Sequence, residues 1–107
     1  MPAYLVAFVE ISARARYDAD YAPHMQATLE PFGGRYLSRP TSVEVQEGAF
    51  PAGEIVLIAF PDMAKAEAWY SSPAYEELLA VRQAVATTSL ALFSPRETEG
   101  IQRERPG

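Results

Sequence analysis

"AYLVAFVEI", residues 3–11, decides how this chain folds. β-branched, aromatic and other apolar residues fill it, which suits a strand. Its alternating sets are Ala3, Leu5, Ala7, Val9, Ile11 and Tyr4, Val6, Phe8, Glu10. Both sets are mostly apolar, so neither face of the strand is written for water. The apolar run is too short to cross a bilayer and no basic segment precedes it, so it reads neither as a membrane span nor as a signal peptide. "EIVLIAF", residues 54–60, has the same two-faced character. A sheet built around two such strands needs cover on both sides.

Working outward, the segment after the first strand predicts a helix. Asp18 or Asp20 caps it, Pro23 fits its first turn, and Tyr21, Met25, Leu29 and Phe32 recur along one face. Gly33 and Gly34 stop it, with Gly33 suited to a left-handed C-cap. "RYLSR", 35–39, predicts a strand. After Pro40, "SVEVQEG", 42–48, alternates as a half-exposed strand with Val43 and Val45 inward. "FPAG" is a turn before strand 54–60. Asp62 caps a helix over "MAKAEAWY", whose Met63, Ala66 and Tyr70 share a face, and Ser72 followed by Pro73 opens another over "AYEELLAVRQAVA". "TSLALF", 88–93, closes as a strand. The order β-α-β-β-α-β, with the second helical region split and a short hairpin strand in the middle, predicts an α+β ferredoxin-like fold with an antiparallel sheet. Its helices cover one sheet face. The apolar residues on the other predict a homodimer with two sheets packed face to face.

The chain has 107 residues, 49% of them hydrophobic, which suits one domain over 1–95 and a loose polar tail over 96–107. Its formal net charge is −5. That argues against nucleic acid and against anionic membrane surfaces, both of which call for clustered Lys and Arg. With no cysteine there is no disulfide scaffold, no Cys-based zinc site and no thiol nucleophile. A single histidine rules out a His-rich metal site, and Asp18, Asp20 and Glu30 have no recognisable ligand spacing around it. No cofactor and no metal are expected. A cytoplasmic location is.

Arg82 stands out. It sits within the stripe Tyr75, Leu78/Leu79, Arg82, Val85/Ala86 of the last helix, where a buried guanidinium must pair or bind an anion. The commoner reading is an ion pair with Glu10, Glu44 or Glu47, or a side chain reaching out to the rim. The functional one is a grip on a carboxylate or enolate-like oxygen. Arg35 follows the glycines. Their order, helix before and strand after, is the reverse of a phosphate-binding loop, so they read as a hinge, and Arg35 as a surface residue or a pocket edge. Trp69, Tyr70, Ser72 and Tyr75 cluster at the break between helices, either as packing plus a cap or as the wall of a small apolar pocket. His24 is the one side chain that ordinarily titrates near neutrality; it reads as exposed or as a general base. Glu47 ends the alternating segment as a partner for an arginine or as an acid/base.

"PFGGRYLSR" after an amphipathic helix, Glu47-Gly48 ahead of "IVLIAFP", and "AWYSSPAYEELLAVRQAVA" after it resemble, in that order and over about residues 3–94, the DUF1330 family of small proteins of unknown function. The resemblance implies a dimeric α/β barrel, two ferredoxin-like subunits with sheets back to back. That superfold hosts cofactor-free monooxygenases and isomerases as well as ligand-sensing modules, so fold does not settle function. The expectation is a small pocket in each subunit, between the open sheet face and the helices, for a partly apolar anion. Its ligand residues would be Arg35, Trp69, Ser72, Tyr75 and Arg82. If a reaction occurs, His24, Glu47 and Arg82 are the candidates to carry it. The alternatives are a cofactor-independent oxygenase or isomerase and a purely structural dimer.

Overall fold

The computed structural model describes residues 1–96. Four strands, β1 (Ala3–Ile11), β2 (Arg35–Thr41), β3 (Glu54–Phe60) and β4 (Ala86–Phe93), form one antiparallel sheet in the order β2-β3-β1-β4. The helices are α1 (Arg14–Arg16), α2 (Ala22–Leu29), α3 (Met63–Tyr70) and α4 (Pro73–Val85). This is the ferredoxin-like arrangement. β1 and β3 are central, as their two-faced apolar character requires. Their register, Leu5 opposite Ile58 and Ala7 opposite Val56, puts Leu5, Ala7, Val9, Val56, Ile58 and Phe60 on the covered face, where all are buried. Tyr4, Val6, Phe8, Ile55 and Leu57 lie on the other face and stay half-buried. Tyr4 meets Phe93 there at a ring-centroid distance of 5.6 Å, and Phe8 meets Phe50 at 6.0 Å.

The stretch between β1 and α2 departs from expectation. The chain turns helical at Arg14, and residues Tyr17–Tyr21 form a π turn closed by the Ala22 N–H donating to the Tyr17 carbonyl. Asp18 and Asp20 therefore cap nothing. Asp20 lies 3.4 Å from Arg16 on the exposed side, and Asp18 faces Arg14. The spacing explains the π turn. Tyr17, Tyr21, Met25 and Leu29 recur every four residues and all are buried. Each step of four overshoots a 3.6-residue turn by about 40°, so three steps would carry the stripe ~120° around an α-helix. One wider turn absorbs the surplus.

Gly33 closes the helical segment with φ of 72°, and the Gly33 and Gly34 N–H groups donate to the carbonyls of Glu30 and Leu29, each at 3.0 Å. This is a Schellman-type ending. Gly34 has a second role. A Cβ there would lie 2.7 Å from the Phe60 ring and 2.9 Å from Leu29 Cδ2, so the missing side chain lets the strand start close to the core. Asp62 and Ser72 cap α3 and α4 as expected, accepting from the Lys65 N–H at 2.8 Å and the Tyr75 N–H at 3.3 Å.

The strand expected at 42–48 does not form. β2 runs on through Pro40 to Thr41, which pairs with Ile55, and β3 begins at Glu54 as expected. Residues 42–53 thus have no ladder opposite them, and Val43 and Val45 are exposed. The tail expected from residue 96 onward lies, apart from Arg96, outside the described residues. Among the described residues, no helix is long and apolar enough to cross a membrane.

Candidate functional site

The site is built where the π turn, α3 and α4 meet the covered face of the sheet. The π turn aims Tyr17 and Tyr21 inward, with rings 5.0 Å apart. The break at Ser71–Ser72 sets α4 so that Tyr75 faces back toward Trp69, ring centroids 4.1 Å apart. Ser72 fixes that break: its hydroxyl donates to the Trp69 carbonyl at 2.7 Å and accepts from the Tyr75 N–H. Trp69 is pinned from the other side, its Nε1–H donating to Thr28 Oγ1 at 3.0 Å while Thr28 donates to the Met25 carbonyl at 2.8 Å. Two helical turns beyond Tyr75, Arg82 enters the same space.

Arg82 Nη1 donates to Tyr75 Oη at 2.8 Å, and Tyr75 Oη lies 2.9 Å from Tyr21 Oη. Arg82 is 7% exposed. Among the described residues no carboxylate comes within ion-pair distance of it; the ion pairs present involve Arg14 and Arg16. Glu10, Glu44 and Glu47, the partners expected for it, do not reach it. Burial works against its charge, and Tyr75, Tyr21 and Tyr70 more than offset this, so its pKa is raised. Burial also pushes up the tyrosines: Tyr17 and Tyr36 to about 12, and Tyr21 and Tyr75 upward as well, with Arg82 pulling the other way on both of the latter. All four stay protonated near neutrality.

A proton inventory defines what this cluster lacks. Two tyrosine hydroxyls share one hydrogen bond, so one O–H remains to be placed. Arg82 has five N–H donors and no acceptor atom. Thr88 Oγ1 on β4 is buried and has no partner. These groups line a cavity of about 20 Å³, walled by β1 and β3 residues such as Leu5, Ala7 and Val56. That is room for a water molecule. The cluster is rich in donors, positively charged and short of an acceptor.

Of the residues singled out from the sequence, Arg82, Tyr75 and Trp69 come together here. Ser72 lies beside them with its hydroxyl committed to the cap. His24 is exposed on α2. Glu47 belongs to the 42–53 loop, and Arg35 is exposed on β2, at a shallow concavity with Tyr4 and Pro61. The cavity sits against the covered sheet face. Tyr17, Tyr36 and Thr88 were missed, and Tyr21 was read only as core. The four-residue spacing of two tyrosines ahead of Met25 was the available signal.

Solved structures share this architecture. A protein of unknown function from Rhodopseudomonas palustris is 17% identical, with a TM-score of 0.68 over 90% of this chain and 83% of its own. A dimeric ferredoxin-like protein of unknown function from Jannaschia sp. CCS1 is 14% identical, with a TM-score of 0.59 over 89% of this chain and 100% of its own. SnoaB, a cofactor-independent oxygenase from Streptomyces nogalater, is 17% identical, with a TM-score of 0.56 over 91% of this chain and 95% of its own. At such identities the likeness establishes the fold alone. No curated protein matches. Residues 2–95 match the family model of DUF1330, a domain of unknown function, and the chain belongs to that family.

Proposed function

We propose that this chain is a cytoplasmic, homodimeric small-molecule-binding protein: one domain through residue 95, a polar tail, and one anion site per subunit. The ligand is small and partly apolar. Its anionic group is held by Arg82 and the free tyrosine hydroxyl, and its apolar part lies against Trp69, Tyr75 and Tyr17. One observation carries the reading: a buried guanidinium with no carboxylate at ion-pair distance among the described residues, beside hydroxyls that still have a proton to donate. An anion completes both the charge and the hydrogen bonding.

The cavity as it stands takes a water-sized guest. A larger guest needs more room, which displacement of the π turn carrying Tyr17 and Tyr21 would supply; π turns often sit at functional sites. The homodimer rests on the apolar open face and on the dimeric state stated for the Jannaschia protein. An oxygenase or isomerase reading, prompted by the fold shared with SnoaB, needs a base in the cavity. Among the described residues lining it there is no histidine and no carboxylate, and the tyrosines hold their protons. Binding is therefore preferred to catalysis.

Native mass spectrometry of the purified protein, followed by thermal shift with short-chain and aromatic carboxylates, tests the reading. The expected result is a dimer carrying a reproducible small extra mass, and a carboxylate that stabilises the wild type but not Arg82→Met. A bare dimer that no carboxylate stabilises would leave the purely structural reading in its place.

A further inference from the structure

The open sheet face carries its charge unevenly. Arg35 stands at one end of it, beside Tyr4 and Ala59 at a concavity of about 230 Å³. At the other end lies exposed Glu10, and there the 42–53 loop holds Glu44 and Glu47 around a groove of about 370 Å³ walled by Phe8 and Phe50. Between the two ends β1 and β3 present Val6, Ile55 and Leu57, flanked on β4 by exposed Ser89. Neither Arg35 nor Glu10, Glu44 or Glu47 has an ion-pair partner among the described residues.

Resting on the homodimer proposed above, two aligned ways of packing this face on its own copy are open. A twofold axis along the strands keeps like ends together but exchanges the sheet edges: the acidic loop beside β2 and β3 comes over the partner's Glu10 end, and Arg35 has no acid opposite it. An axis across the strands brings opposite ends together. Like charges set opposite each other in an interface oppose association, and unlike charges fix its register. We propose that the axis runs across the strands, so that Arg35 of each subunit meets the acidic 42–53 loop of the other. The same isologous contact then forms twice. Phe50 and Val45 on that loop, both largely exposed here, are covered by the partner's Arg35 end.

Charge reversal tests this, read by sedimentation equilibrium. Arg35→Glu alone is expected to weaken the dimer roughly tenfold or more. Glu44→Arg with Glu47→Arg alone does the same, and all three together restore wild-type affinity. Weakening that simply accumulates in the triple variant would overturn the arrangement. The chain is free of cysteine, so a second readout is clean. Failure of Arg35→Cys and Glu47→Cys subunits to cross-link on oxidation would sink the proposal. A mixed disulfide between Arg35→Cys and Glu47→Cys subunits is the expected product. A wild type that sediments as a monomer removes the homodimer itself, an outcome separate from a dimer that lacks the charge rescue.

Discussion

Arg82 is a cation held in a place where water barely reaches. Had Glu10, Glu44 or Glu47 paired with it, its removal would strand a buried carboxylate and cost about 3–5 kcal/mol. No such carboxylate is present among the described residues, so the volume-conserving Arg82→Met is expected to leave stability unchanged or to raise it by about 1–3 kcal/mol. Thermal or urea unfolding measures this, and a loss of several kcal/mol would reinstate the ion-pair role. Tyr75→Phe keeps the ring against Trp69 but removes the oxygen that accepts from Arg82. It is expected to cost about 1.5–3 kcal/mol, as a hydrogen bond to a charged group. Equal stability for the two proteins would show that Arg82 finds another acceptor.

At the scale of elements, the turn between α2 and β2 is expected to be intolerant of any side chain. Gly34→Ala drives a Cβ into the Phe60 ring and Leu29, and should destabilise by about 1–3 kcal/mol through overpacking. Chemical denaturation measures it; a neutral effect would mean that Phe60 swings aside freely. The buried tyrosines also set a pH dependence. Tyr17 and Tyr36 are raised to about 12, and Tyr21 and Tyr75 are raised too. Each proton is held more tightly in the folded state, so this contribution is complete below pH ~10. Above that, unfolded tyrosines ionise while the folded ones stay protonated, and stability falls as pH climbs toward 12. Tyrosinate absorbance should therefore rise in step with unfolding. A tyrosine set that titrates fully before the fold is lost would contradict the buried hydroxyl cluster.

For the whole molecule, the open face decides behaviour. Leu57 sits at its centre, opposite Val6 and half-buried. Leu57→Lys is expected to give a monomer with an unchanged circular dichroism spectrum, because the core on the covered face is untouched. Sedimentation velocity distinguishes the states. A variant that stays dimeric would move the interface elsewhere on the molecule.

The sequence alone determined the sheet, its central strands and the ends of three helices. Those features follow from local rules, namely apolar alternation, caps at Asp62 and Ser72, and a left-handed glycine at position 33. The resemblance carried by the "GGRY" and "AW…SPAY" elements pointed to the family as well. Only the tertiary structure decided what the polar residues do. Val43 and Val45 alternate like a strand, but among the described residues no partner strand lies opposite them, and a ladder needs two sides. Asp18 and Asp20 look like caps, but burying Tyr17 along with Tyr21 started the helix a turn earlier. Arg82 was conspicuous from its stripe. Whether a carboxylate or a pair of tyrosines would face it depended on bringing the π turn, far away in the chain, against α4, and on an electrostatic balance that exists only once burial has removed the water.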